Sequence, residues 1–342
     1  MDPVTHALLG ATAAQATLGS RLGGRAWMVG ALGGLLPDAD ILISSAADPL
    51  LAIQYHRQFT HALAFIPVGG LVAALPWLAR RRYREEGGAV YGAATLGYGT
   101  HGLLDACTNY GTHLLWPFSP LRSAWHWMTT VGPLLTLALL IGLVLAVRGR
   151  SRAPAVAALV LGRAYVGTAA LQRERALDIQ TRVAAARGHP VERAEMFPTV
   201  GNPFVWRSAY ASAGVLHMDR VRVLGTTALW KDGGTMPLLA EADLPADMRA
   251  DARVMRDFGR FSYFSAGWVA RAADDPTVIG DARYSLRTDR YEPIWGVRFH
   301  PGAERPTEWV DRTARNRIPL TELAREIAGT APGYRALPTG GS

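Results

Sequence analysis

The chain has 342 residues, 49% of them hydrophobic, and a formal net charge of +8. Its single cysteine, Cys107, excludes intrachain disulfides and cysteine-rich zinc sites. The charge is spread out, with 12 Arg and 7 acidic residues in 1–172 against 24 Lys and Arg and 21 acidic residues in 173–342, so no single element carries the concentrated basic patch of a nucleic-acid binder.

The start, Met1-Asp2-Pro3, has no basic stretch of the kind that opens a cleavable signal peptide, so membrane targeting is expected from the apolar helices themselves. Six apolar segments follow, at about 6–20, 26–43, 62–79, 88–107, 129–147 and 153–172, each set against the roughly 17–25 residues that a spanning helix needs. The fifth is the clearest, with a run of leucines from Leu134 to Leu145; the first is barely long enough, and Pro67 and Pro76 lie in the third. Nine arginines fall in the loops after segments one, three and five, and only Arg57 and Arg122 in the loops after two and four. By the positive-inside rule the richer loops face the cytoplasm. The lipid bilayer is then the first partner, and everything after the sixth segment lies outside the cytoplasm.

Beyond residue 172 the composition becomes that of a soluble domain. Residues 173–196 suggest a helical linker. From 197 to 331, runs at 213–231, 261–272, 277–286 and 294–299 are rich in aromatic and β-branched residues and predict strands. Helices are expected near 244–258 and 320–328, and residues 332–342 read as a flexible tail. Trp206, Trp230, Trp268 and Trp295 are expected as core or interface aromatics rather than a ligand cage. The expected fold class is thus a multi-pass α-helical membrane bundle followed by a small β-rich (α+β) soluble domain.

The polar residues of the first half gather at one end of this map. They are Thr5 and His6, Asp38 and Asp40, His56, Arg57, Thr60 and His61, His101 and Asp105, then His113 and His126. His101 and Asp105 are four apart and share one helix face. Imidazole nitrogen and carboxylate oxygen are the usual ligands of zinc, manganese and iron, and ionisable groups near membrane depth are costly unless paired or liganded. Taken singly, each feature has a plainer explanation. Asp38 would cap a helix or pair with Arg57, and a lone histidine at an interface is commonly a hydrogen-bonded surface group. Four separate acid and histidine motifs at one face point instead to a shared ion.

These residues in this order resemble the YdjM-like family of inner-membrane metal-dependent hydrolases. The resemblance is carried by Met1-Asp2-Pro3-Val4-Thr5-His6-Ala7-Leu8, Leu36-Pro37-Asp38-Ala39-Asp40, His56-Arg57-Gln58-Phe59-Thr60-His61 and the stretch from His101 to Thr112. It is strong over 1–147 and looser after that, where Asn202-Pro203-Phe204-Val205-Trp206-Arg207 and Gly280-Asp281-Ala282-Arg283-Tyr284 are similar to the longer members. One departure stands out: family members often carry Asp-Pro at the start of the fifth helix, where this chain has Gly132-Pro133.

The resemblance implies a divalent metal, zinc first, and hydrolysis at the outer face of an inner membrane. Candidate ligands are His61, His101, Asp105 and one of Asp38 or Asp40, with His56 and His6 next. An uncoordinated Asp40 would accept a proton, and Arg57 would hold an oxygen of an anionic or lipid-linked substrate. Two alternatives remain open at this point: an ion-relay or transport protein lined by the same groups, and a non-catalytic membrane scaffold.

Overall fold

The computed structural model describes residues 1–285, 291–315 and 320–337. The backbone divides into two compact units, one of Met1–Ile43 with Tyr55–Ala170 and one of Ser44–Gln54 with Leu171–Ser342.

The first unit is helical. It contains α1 (Pro3–Leu22), α2 (Ala26–Leu35), α4 (Ile66–Leu78), α5 (Arg81–Arg84), α6 (Gly87–Ala106), α7 (Pro133–Arg148) and the first half of α8 (Ala153–Ala186), while the short α3 (Leu51–Tyr55) falls almost wholly in the second unit. Asp2 caps α1, accepting a hydrogen bond of 3.0 Å from the Thr5 amide. Small residues set the spacing of α1, α2 and α6. A Cβ on Gly30 would strike the Gly10 carbonyl, and one on Gly97 would strike the Gly30 carbonyl. Only glycine lets these backbones touch.

The second unit is sheet-rich. An antiparallel sheet runs β1-β2-β3-β4-β10, from β1 (Arg193–Pro198), β2 (Val205–Ser212), β3 (Val215–Leu224), β4 (Thr227–Lys231) and β10 (Arg335–Ala336), with β5 (Thr235–Pro237) also paired to β3. A second antiparallel sheet runs β6-β7-β8-β9, from β6 (Val269–Arg271), β7 (Val278–Asp281), β8 (Trp295–Phe299) and β9 (Thr307–Asp311). Helices α9 (Ala246–Ala250), α10 (Ala252–Phe264) and α11 (Leu320–Ala328) complete it.

Strand β2 is buried along its whole length because both faces of its sheet are covered. On one face Met196, Trp206, Val221, Val223 and Trp230 pack against Ala176, Ile179 and Val183 of α8. On the other, Phe197, Ala209, Leu216 and Met218 meet Trp268, Ala270, Ala282 and Tyr291. Trp206, Trp230 and Trp268 are therefore core residues.

The coarse division into a helical first part and a sheet-rich second part agrees with the expected α+β class. The multi-pass bundle of six spans does not. Among the described residues one helix, α8, is long and apolar enough to cross a membrane by itself. The pair Leu51–His61 and Leu63–Leu78, bent by 59°, adds a second only if it is counted as one span.

The reasons are local. Helix α2 stops after 10 residues, where Pro37 opens a 3-10 turn over Leu36–Leu42. Helices α4 and α7 have 13 and 16 residues. Helices α1 and α6 reach 20, but glycine, threonine and histidine dilute their apolar content.

Other expectations also shift. Helix α8 continues past residue 172 to Ala186, and β1 begins at Arg193, inside the stretch read as a helical linker. The aromatic run at 261–272 is partly helical, because Phe258, Phe261 and Phe264 lie on the buried face of α10. In the expected tail, Arg335–Ala336 pair with β4, and residues 338–342 lie outside the described residues.

Candidate metal centre

Four stretches of chain deliver the polar residues to one place in the helical unit. The 3-10 turn after α2 presents Asp38 and Asp40, because tighter winding lets residues two apart reach the same region. A second 3-10 turn, Phe59–His61, follows Arg57, whose backbone is held at φ 66°. His101 and Asp105 sit one turn apart on α6, and His6 comes from the first turns of α1.

One ligand atom from each of Asp38, His61, His101 and Asp105 lies within 4.8 Å of all the others. His61 Nε2 is 3.6 Å from Asp38 Oδ1 and 3.3 Å from Asp105 Oδ2. His101 Nε2 is 3.3 Å from Asp38 Oδ1 and 3.4 Å from Asp105 Oδ2. An ion bound tetrahedrally at about 2.0–2.1 Å holds its ligand atoms about 3.3–3.4 Å apart. Three of the four separations match that figure and the fourth, from His61 to Asp38, is slightly longer at 3.6 Å.

The hydrogen bonds around these atoms point the same way. His101 Nδ1 donates to the Gly34 carbonyl at 2.6 Å, which leaves Nε2 as the lone-pair nitrogen. His61 Nδ1 is 3.0 Å from Thr60 Oγ1 and 3.3 Å from Asp40 Oδ2, which frees its Nε2 in the same manner. Asp105 Oδ1 is 3.0 Å from His6 Nε2 and is also paired with the Met1 amine. The remaining atoms, His61 Nε2, His101 Nε2 and Asp105 Oδ2, are buried and make no hydrogen bond. Buried polar atoms seldom stay unsatisfied. Three of them lie in one group whose ligand atoms could hold a metal ion.

A second group, Asp38, Asp40 and His56, also brings its ligand atoms within 4.8 Å of one another. His56 Nδ1 is 2.7 Å from Asp40 Oδ1. Asp40 Oδ2 accepts from the Arg57 amide at 2.9 Å and from the Thr60 hydroxyl at 2.7 Å.

Of the residues singled out in the sequence, the structure therefore brings together Asp38, Asp40, His56, His61, His101 and Asp105. His6 falls outside both groups. Its ring stacks on His101 at 3.5 Å and its Nε2 meets Asp105, so it backs the centre. Arg57 is buried, with Nε 3.2 Å from Asp105 Oδ2, Nη1 donating to Thr108 Oγ1 at 2.9 Å, and its guanidinium over the Tyr110 ring. His126 Nδ1 pairs with Asn109 at 3.0 Å, and neither it nor His113 joins a metal group.

Sequence alone did not single out two supports. One is the Gly34 carbonyl, which has no side-chain signature. The other is Tyr98, whose hydroxyl donates to the Thr60 carbonyl at 2.7 Å and steadies the second 3-10 turn. A tyrosine three residues before His101 on α6 was the available signal for it.

No curated protein and no solved structure matches the chain. A family model described as YdjM inner membrane protein matches residues 1–176, a span that contains every residue of both groups. The chain belongs to the YdjM inner membrane protein family.

Proposed function

We propose that the protein is a metal-dependent hydrolase of the inner membrane, with Asp38, His61, His101 and Asp105 as the ligands of a divalent ion. The carrying observation is the set of buried, hydrogen-bond-free ligand atoms at His61, His101 and Asp105, spaced as a tetrahedral ion requires. Two imidazoles and two carboxylates suit zinc best among the common divalent ions. A bound ion there would polarise a carbonyl or phosphoryl oxygen and lower the pKa of water.

The chain's own groups orient the ligands. Gly34 and Thr60 set the tautomers of His101 and His61, and Asp40 Oδ2 sits behind His61 as outer carboxylates do in metal sites. Arg57 balances the charge of Asp105 from a buried position, which suits a supporting role better than direct contact with substrate. This departs from the expectation that Arg57 grips a substrate oxygen.

A membrane-associated substrate, such as a lipid-linked phosphoester, is favoured by the apolar surface around the unit. Val68, Leu71, Val72 and Leu75 of α4 and Leu134, Leu137, Ile141 and Leu145 of α7 are exposed, as apolar residues facing lipid would be. Arg148, Arg150 and Arg152 precede α8, which favours a cytoplasmic start for that helix and an extracytoplasmic sheet unit.

Elemental analysis of detergent-purified protein beside the His101→Ala variant tests the proposal. Wild type is expected to retain zinc and to cleave a phosphoester in a chelator-sensitive manner, and His101→Ala to lose about one ion per chain. Metal-free wild type, or equal metal in both proteins, refutes it.

A further inference from the structure

We infer that the centre takes a second cation, held by Asp38, Asp40 and His56, with Asp38 shared between the two ions. This rests on the hydrolase proposal and extends it.

The first argument is coordination. Four protein ligands fill a tetrahedron, so water or substrate would reach that ion only by its expanding to five-coordinate, whereas an ion with three protein ligands has a position open from the start. Asp38, His61, His101 and Asp105 supply all four. The second group supplies three, so an ion there keeps an open position.

The second argument is access. The side chains of His61, His101 and Asp105 are 0% exposed, while those of Asp38 and His56 are 22% and 19% exposed. Solvent therefore reaches the centre on the side of the three-residue group.

The third is the split use of each carboxylate. Asp40 Oδ2 is occupied by the Arg57 amide and the Thr60 hydroxyl, but Oδ1 meets only His56 Nδ1 at 2.7 Å. An ion would replace the proton that this pair shares and would leave the anchoring bonds of Oδ2 intact. Asp38 Oδ1 faces His61 and His101, and Asp38 also belongs to the second group, so it is the carboxylate that two ions would share. Shared carboxylates of this kind are the usual bridge in paired-ion hydrolases, where the ions act on the two ends of one displacement. Two divalent ions beside Arg57 outweigh the charge of Asp38, Asp40 and Asp105, so the open side would draw an anionic group such as a phosphoester.

The test uses the full chain in detergent, loaded separately with Zn²⁺ and Mn²⁺ and freed of excess. Wild type is expected to retain about two zinc ions per chain and His56→Ala about one. Wild type saturated with Mn²⁺ is expected to show the spin-coupled resonance of a close ion pair. One ion in both proteins, or an isolated-ion Mn²⁺ spectrum at saturation, overturns the second site and leaves the single-ion hydrolase standing. No retained ion in wild type overturns both. The Mn²⁺ spectrum needs no variant and decides the question even if His56→Ala fails to fold.

Discussion

The two units bury charge in opposite ways. In the sheet unit the buried acids Asp219, Asp257 and Asp281 each meet a guanidinium. Asp219 accepts from Arg187 Nη1 at 2.7 Å and Nη2 at 3.0 Å and from the Gly233 amide at 3.0 Å. Asp281 accepts from Arg283 Nη2 at 2.7 Å, and Asp257 from Arg260 at 3.2 Å and Thr307 at 2.7 Å. The carboxylate oxygens of these three acids are met by donors of the same unit. In the helical unit Asp38 and Asp105 meet imidazole nitrogens whose protons are directed elsewhere, and lone pair faces lone pair. The first arrangement draws its counter-charges from arginines of the same unit. The second has Arg57 and the Met1 amine beside Asp105 and also gathers four ligand atoms that could hold an ion.

The comparison breaks most readily at Asp105. Asp105→Asn keeps the size of the side chain and removes a ligand charge, and zinc affinity should fall more than about 100-fold, beyond the loss typical of outer-shell changes. Equilibrium dialysis against zinc measures this. An affinity within tenfold of wild type would put Asp105 among the merely structural acids.

Asp219→Ala is the counterpart in the sheet unit. It removes one of the two carboxylates that Arg187 meets, leaving Asp232 and the Tyr210 hydroxyl, and should cost about 1–2 kcal/mol of stability, less than a fully buried pair because Arg187 is partly exposed. Chemical denaturation followed by tryptophan fluorescence reports the loss, and zinc content should stay at the wild-type level. A matching fall in zinc would mean that the two clusters are coupled.

Gly97→Val forces a side chain against the Gly30 carbonyl and pushes α6 away from α2. A destabilisation of about 1–3 kcal/mol is expected from overpacking, with weaker zinc binding as well, since His101 rides on α6 and its Nδ1 partner Gly34 on α2. Thermal unfolding with and without zinc separates the two effects. Unchanged zinc affinity would show that the spacing of these helices does not set the ligand geometry.

Thr60→Val is the mildest change. It removes the donor to Asp40 Oδ2 and the partner of His61 Nδ1, and zinc affinity should drop about tenfold. A loss as large as that of Asp105→Asn would move Thr60 from supporting His61 to holding the ion itself.

The ligand candidates were legible in the sequence because their chemistry is carried by residue type. Histidines and aspartates in apolar surroundings stand out, and the four-residue step from His101 to Asp105 assigns both to one helix face. The core tryptophans and the change from apolar helices to a strand-rich second half were legible for the same reason, since local composition reports local environment.

Which atoms meet was decided only by tertiary structure. Pro37 signals a turn that lets Asp38 and Asp40 point inward, but not that it winds as a 3-10 turn aiming Asp38 at the His101 ring, or that α2 ends too early to span. Nor could composition show that Asp38 belongs to two groups while His6 stands behind one. A ligand atom's direction depends on backbone winding, on the tautomer set by a distant carbonyl, and on how closely glycines let three helices approach. All of these come from contacts between residues far apart in the chain, and a linear pattern does not encode them.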